Sequence, residues 1–125
     1  SKMKKIFEIY KNKINIYSDL DNVINTYFSN NYDNYRVNNV DTDFSNILKD
    51  FLKKIENIYD WNCVNLDKKI NEYVKEKKIK FILFGQPLRQ ILINSKNGPS
   101  ISEILYILGK KNAFIRLNKY IEKIN

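Results

Sequence analysis

The run Phe84-Gly85-Gln86-Pro87-Leu88-Arg89, with Gly98-Pro99-Ser100 and Leu108-Gly109-Lys110 after it, holds all three glycines and both prolines of this 125-residue chain. The chemistry these residues offer is recognition. Pro87 has a fixed φ and no N–H, which suits the first turn of a helix. Gly85 just ahead of it permits a sharp turn at positive φ. The pattern predicts Arg89 on the first exposed turn of a helix whose other face is Leu88, Ile91 and Leu92. A guanidinium held there is a fixed fork of donors, suited to a phosphate or a base edge. The same residues also read as a Pro-initiated core helix with one solvated arginine, and the run alone leaves both readings open.

Histidine is absent and Cys63 is the single cysteine. A Ser-His or Cys-His nucleophile is therefore excluded within the chain, as is an internal disulfide. One cysteine without histidine also argues against zinc. Neither a P-loop nor G-x-G-x-x-G is present, and no pair of carboxylates is singled out by its surroundings. The expectation is a chain with no catalytic residues and no metal site. The lone cysteine fits a reducing compartment. No run of about eighteen apolar residues exists and no apolar signal core precedes the first charges, so the expectation is no membrane and a cytoplasmic protein. Ser1 reads as a cleavage scar and the chain as an excised fragment.

The net charge of +8 is unevenly placed. Residues 1–74 carry 11 basic and 11 acidic side chains, whereas residues 75–125 carry 11 basic ones against Glu76, Glu103 and Glu122. The whole excess thus belongs to the part containing the Pro/Gly strip. Such asymmetry points to a polyanion, most simply nucleic acid. Lysine bias from AT-rich coding would also explain the abundant Asn, Ile and Tyr, but not a neutral first part.

The elements that must position Arg89 are helical. Ile6, Phe7, Tyr10 and Ile14 share one face over residues 3–14. Ser18 with Asp21 has capping-box spacing before Leu20, Val23, Ile24, Tyr27 and Phe28. Residues 29–42 lack periodicity and read as a junction. Phe44, Ile47, Leu48, Phe51, Leu52, Ile55, Ile58 and Tyr59 make the clearest helix. Trp61 reads as a core wedge, and Asn62 as the N-cap of a helix burying Leu66, Ile70, Tyr73 and Val74. Lys75-Glu76-Lys77-Lys78 closes that helix. Ile79 to Phe84 is assigned to helix, ahead of the Pro87–Ile93 segment. Ser100 and Glu103 form a capping box before Ile101, Ile104, Leu105 and Leu108, and Gly109 sits where a C-terminal glycine cap belongs. A last helix turns Phe114, Leu117, Ile121 and Ile124 inward. The expected fold is all-α, with about seven helices and no convincing strand.

The order and spacing of Trp61, Gln86-Pro87-Leu88-Arg89, Gly98-Pro99, Ile107-Leu108-Gly109-Lys110 and Arg116-Leu117 resemble the C-terminal anticodon-binding region of bacterial-type glutamyl-tRNA synthetase. There the strip reads roughly P-L-R-x-A-L-T-G, then P, then L-G-K and R-L. Tyr17-Ser18-Asp19-Leu20 with Tyr27-Phe28 also resembles its T-L-x-E-L followed by F-F or Y-F. The likeness runs from about Lys11 to Ile121. It implies two packed helical subdomains forming a cage around the anticodon loop. Residues 1–37 would be the end of the first subdomain and residues 38–125 the second. It also implies a parent enzyme that joins glutamate to tRNA using ATP and Mg in a catalytic domain upstream. That domain's H-I-G-H-like and K-L-S-K-like signatures are missing here, so the chain itself is expected to hold no cofactor.

On the same resemblance, Arg89 matches the arginine that contacts the first anticodon base, with Gln86 beside it. Gly98 and Pro99 align with the turn near the second base, and Ile101 with the segment flanking the first. Lys13 aligns with an arginine that reads the third base; as lysine it lacks the planar bidentate fork. The implied partner is tRNA(Glu), with tRNA(Gln) left open by that lysine, bound by a monomer. Ile91-Leu92-Ile93-Asn94-Ser95 departs from the usual A-L-T-G. Phosphate contacts are expected from Lys96, Lys110, Lys111, Arg116 and Lys119, giving affinity while Arg89 gives selectivity. The competing readings are a sequence-indifferent basic helical module for nucleic acid, and a helical protein-interaction domain whose lysines are only solvated.

Overall fold

A computed structural model of the chain describes residues 1–11, 16–29, 42–95 and 97–124. Among these, six helices and no strand occur: α1 (Lys2–Tyr10), α2 (Ile16–Phe28), α3 (Thr42–Ile55), α4 (Cys63–Glu76), α5 (Phe81–Ile93) and α6 (Ile101–Ile124). None of them is long and apolar enough to cross a membrane. The subdomain boundary expected at residues 37 and 38 lies outside the described residues.

The long α6 is the central element, packed against α1, α3, α4 and α5. It starts where the capping box places it. The Ser100 N–H donates to Glu103 Oε1 at 3.0 Å, and the Glu103 N–H donates to Ser100 Oγ at 3.3 Å. Inward residues Ile104, Leu105, Leu108, Ala113 and Leu117 then meet an aromatic cluster of Phe51, Tyr73 and Phe84 in one core. The Phe51 and Phe84 ring centroids lie 5.0 Å apart, edge to face, a favoured arrangement of ring quadrupoles. Asn62 caps α4 by accepting from the Asn65 N–H at 2.9 Å.

Gly109 breaks α6 with φ 80 and ψ 157, a conformation essentially restricted to glycine. Such a break deprives the preceding carbonyls of their helical donors. Two side chains replace them: the Trp61 indole N–H donates to Leu105 O at 2.8 Å, and Asn112 Nδ2 donates to Leu108 O at 3.2 Å. Trp61 is therefore both wedge and cap, with Phe114 packed on its ring. A β-carbon at Gly109 would meet nothing within 4 Å, so Gly109→Ala isolates backbone strain from crowding. It is expected to destabilise the fold by roughly 1–3 kcal/mol, read as a lower denaturation midpoint; an unchanged midpoint would mean that the break is not held by this residue.

Three local expectations are corrected. α2 already runs from Ile16, so Ser18 does not begin it. α3 ends at Ile55, which leaves Tyr59 fully exposed while Ile58 stays buried. Most consequentially, Pro87 lies inside α5, which starts at Phe81, and Gly85 is helical rather than at positive φ. Burial of Phe84 and Gly85 together with Leu88 and Leu92 joins the two segments into one helix. The acceptor that Pro87 leaves without a donor, the Leu83 carbonyl, belongs to the most exposed turn of α5, where water can serve it.

Candidate nucleic-acid interface

Arg89 stands in the third turn of α5 instead of the first, half-buried. Its Nε donates to the carbonyl of Pro99 at 2.9 Å. That bond ties the helix carrying Pro87-Leu88-Arg89 to the Gly98-Pro99 turn, two features that the family resemblance assigns to neighbouring anticodon bases. Among the described residues neither η nitrogen of Arg89 is hydrogen-bonded, so the outer end of the fork is oriented but unoccupied.

The turn itself is shaped by its backbone. Asn94 closes α5 in the left-handed region, with φ 57 and ψ 37, a conformation that asparagine tolerates better than most residues. Ser95 Oγ donates to Asn97 O at 2.8 Å. Gly98 follows at φ 143, and a β-carbon there would come within 3.3 Å of Ile93 Cδ1. Pro99 is buried and leads into the Ser100–Glu103 box. Gly98 stays exposed, offering bare backbone beside Arg89. Gln86, half-buried, precedes Arg89 by three residues on the same side of α5.

The other expected contacts divide. The Ile101 side chain is 1% exposed and belongs to the core, so only its main chain is left for a ligand. Lys13 and Lys96 lie outside the described residues. Lys111 and Lys119 are exposed and line a groove of about 630 Å³ along the second half of α6, with Phe114, Ile115 and Glu122.

Arg116 is a correction. It is only 4% exposed, and its guanidinium donates to backbone carbonyls: Nη1 to Leu92, and Nη2 to Thr26 at 3.0 Å, Tyr27 at 3.3 Å and Ser29 at 3.1 Å. These carbonyls lie at the C-terminal ends of α2 and α5, where helices present acceptors and partial negative charge. Arg116 therefore holds two helix ends together and does not reach a phosphate. Lys2 Nζ joins the same end of α2 through Tyr27 O at 3.3 Å. Burial first, and then the Arg116 charge, lower the pKa of its ammonium. Lys110 lines the groove with Lys111 and Lys119, and its ammonium also donates to the carbonyls of Glu56 and Ile58 just past α3.

Phe81 was hidden from sequence reading inside the apolar run Ile79–Phe84. The structure exposes it on the first turn of α5, in line with Gly85 and Arg89. Spacing of four and eight from those residues was the available signal.

The profile of a family described as "Anticodon binding domain" matches residues 1–121. Among curated proteins, the chain is 31% identical to a glutamate–tRNA ligase of Clostridium acetobutylicum over 131 residues, covering 98% of this chain and 27% of that protein. It is 38% identical over 80 residues to a glutamate–tRNA ligase of Blochmanniella floridana, covering 64% of this chain and 17% of that protein. A glutamate–tRNA ligase of Flavobacterium johnsoniae is 23% identical over 96% of this chain and 24% of its own length. The chain thus spans about a quarter, or less, of the length of these relatives.

Proposed function

Since the chain belongs to the anticodon-binding domain family, homologous to part of glutamate–tRNA ligases, we propose that it grips the anticodon loop of tRNA(Glu), with Arg89 reading the first anticodon base. In this reading Gln86 supports Arg89, the exposed Gly98 backbone approaches the second base, and Pro99 fixes that turn. Main chain at Ile101 flanks the first base, and Lys13 faces the third. With lysine at that position, tRNA(Gln) is the natural second substrate to compare. Lys111 and Lys119 supply phosphate contacts, joined by Lys96. The parent protein attaches glutamate to tRNA with ATP and Mg, and no residue of this chain is assigned to that chemistry.

The observation that carries the proposal is the 2.9 Å bond from Arg89 Nε to Pro99 O. It fixes the guanidinium beside the exposed Gly98 turn while both η nitrogens keep their hydrogen-bonding capacity among the described residues, which is what reading an unstacked loop base requires. Phosphate contacts then add affinity without sequence information.

The reading is tested by gel shift of the chain with a tRNA(Glu) transcript and with an unrelated hairpin at two salt concentrations. Tighter binding of the tRNA at both salts supports it; equal binding of both RNAs identifies a sequence-indifferent basic module, and no binding of either leaves a protein-interaction domain. In the same assay Lys119→Ala is expected to weaken all tRNAs alike and to flatten the dependence of log K on log salt by about 1. A loss confined to one anticodon sequence would contradict the phosphate role.

A further inference from the structure

We propose that Phe81 and Arg89 form a single shelf on which one unpaired base of the bound RNA loop is stacked. Phe81 carries the face of the base and Arg89 its edge. The proposal rests on the anticodon-loop reading and adds to it a binding residue.

Phe81, Gly85 and Arg89 occupy successive turns of one face of α5. Gly85 has no side chain to separate its neighbours. The point where its β-carbon would sit lies 3.4 Å from Phe81 Cε1 and 3.4 Å from Arg89 Nη1. Ring and guanidinium therefore lean toward each other across the glycine, close enough that any side chain longer than alanine would part them. Glycine inside a helix is destabilising relative to alanine, so its presence here is explained by what it lets its neighbours do. The Phe81 side chain is 42% exposed, and no aromatic ring packs on it among the described residues. Buried aromatics in the same helix are handled otherwise: Phe84, three residues on, meets Phe44, Phe51 and Tyr73.

An exposed ring next to an oriented guanidinium fits a nucleobase better than a protein side chain. Bases stack on aromatic rings and on guanidinium planes alike. The free η donors of Arg89 can meet a base edge at the rim of the same shelf, and the fixed positive charge suits the polyanion to which that base is attached. The 2.9 Å bond to Pro99 O keeps the guanidinium from swinging away when the base arrives.

The test is a set of binding titrations of the chain with tRNA(Glu), using Phe81→Ala, Phe81→Leu, Phe81→Trp and Arg89→Ala, each first shown by circular dichroism to keep its helix content. Phe81→Ala and Phe81→Leu are each expected to weaken binding roughly tenfold, and Phe81→Trp to bind at least as tightly as the wild type. The Phe81→Ala loss should vanish when one particular anticodon nucleotide is made abasic. Binding by Phe81→Leu at the wild-type level would overturn the proposal, because volume without a ring would then suffice. Unchanged binding by Phe81→Ala, with Arg89→Ala still showing a base-dependent loss, would overturn the shelf and leave the anticodon reading standing. Unchanged binding by both variants would remove both, and would mark the exposed Phe81-Ile82-Leu83 turn as protein-facing.

Discussion

Replacing Arg116 with methionine is expected to lower the stability of the fold by roughly 3 kcal/mol or more. Methionine matches the unbranched stem of arginine, so cavity formation is a minor part of the effect. The loss comes from the carbonyls of Leu92, Thr26, Tyr27 and Ser29, which the guanidinium now serves at once. Each buried acceptor left without a donor costs about 1–3 kcal/mol, and those nearest solvent recover part of that from water. A domain of this kind has only about 5–15 kcal/mol of stability in total, so the variant should show a clearly lowered denaturation midpoint. Arg116→Lys keeps the charge but offers a point donor in place of a planar fork, and should fall between the two. Lys119→Ala, on the exposed side of the same helix, should leave the midpoint nearly unchanged. A methionine variant as stable as the wild type would show that α2 and α5 are held to α6 by apolar packing alone.

The second large effect concerns recognition. Arg89→Ala is expected to weaken cognate tRNA by roughly 1–3 kcal/mol, in a manner that depends on the base presented. The geometry separates two parts of this side chain. Nε is engaged with Pro99 O and sets orientation, while the η nitrogens carry no hydrogen bond among the described residues and keep their donors for a ligand. Arg89→Lys should therefore retain nonspecific attraction and lose discrimination, since an ammonium can neither hold the Pro99 carbonyl in that geometry nor present a paired fork. Either variant should cost the fold only about 0.5–1.5 kcal/mol, the worth of the single part-buried bond to Pro99 O, so a base-dependent loss of binding remains separable from unfolding.

Much of the scaffold was legible in the residues. The capping box at Ser100 and Glu103, the Asn62 cap and the break at Gly109 are local signals, and each depends on atoms within a few positions of the motif. The preference of Pro87 for a first turn yields to the burial of Phe84 and Leu88, and burial is a property of the assembled core that the local motif does not carry. The charged residues show a deeper limit. Arg116 resembles a phosphate ligand by type and position, yet it is buried and donates to helix ends, and Lys110 donates to carbonyls past α3 even while it lines the lysine groove. Their partners are main-chain carbonyls, which no side-chain pattern reveals. Counting lysines and arginines thus overstates the positive surface, while the bond from Arg89 to the Gly98-Pro99 turn is a tertiary contact between motifs ten residues apart that neither motif announces by itself.

The central claim is that Arg89 reads a base, and the most direct measurement is a double-mutant cycle. Wild type and Arg89→Ala are titrated against tRNA(Glu) and against three transcripts altered only at the first anticodon nucleotide. The account predicts that the wild type prefers the native base and that Arg89→Ala binds all four transcripts within a narrow range, having lost roughly 1–3 kcal/mol only on the native one. Equal losses on all four would contradict it, and would reduce Arg89 to one more positive charge on a basic surface.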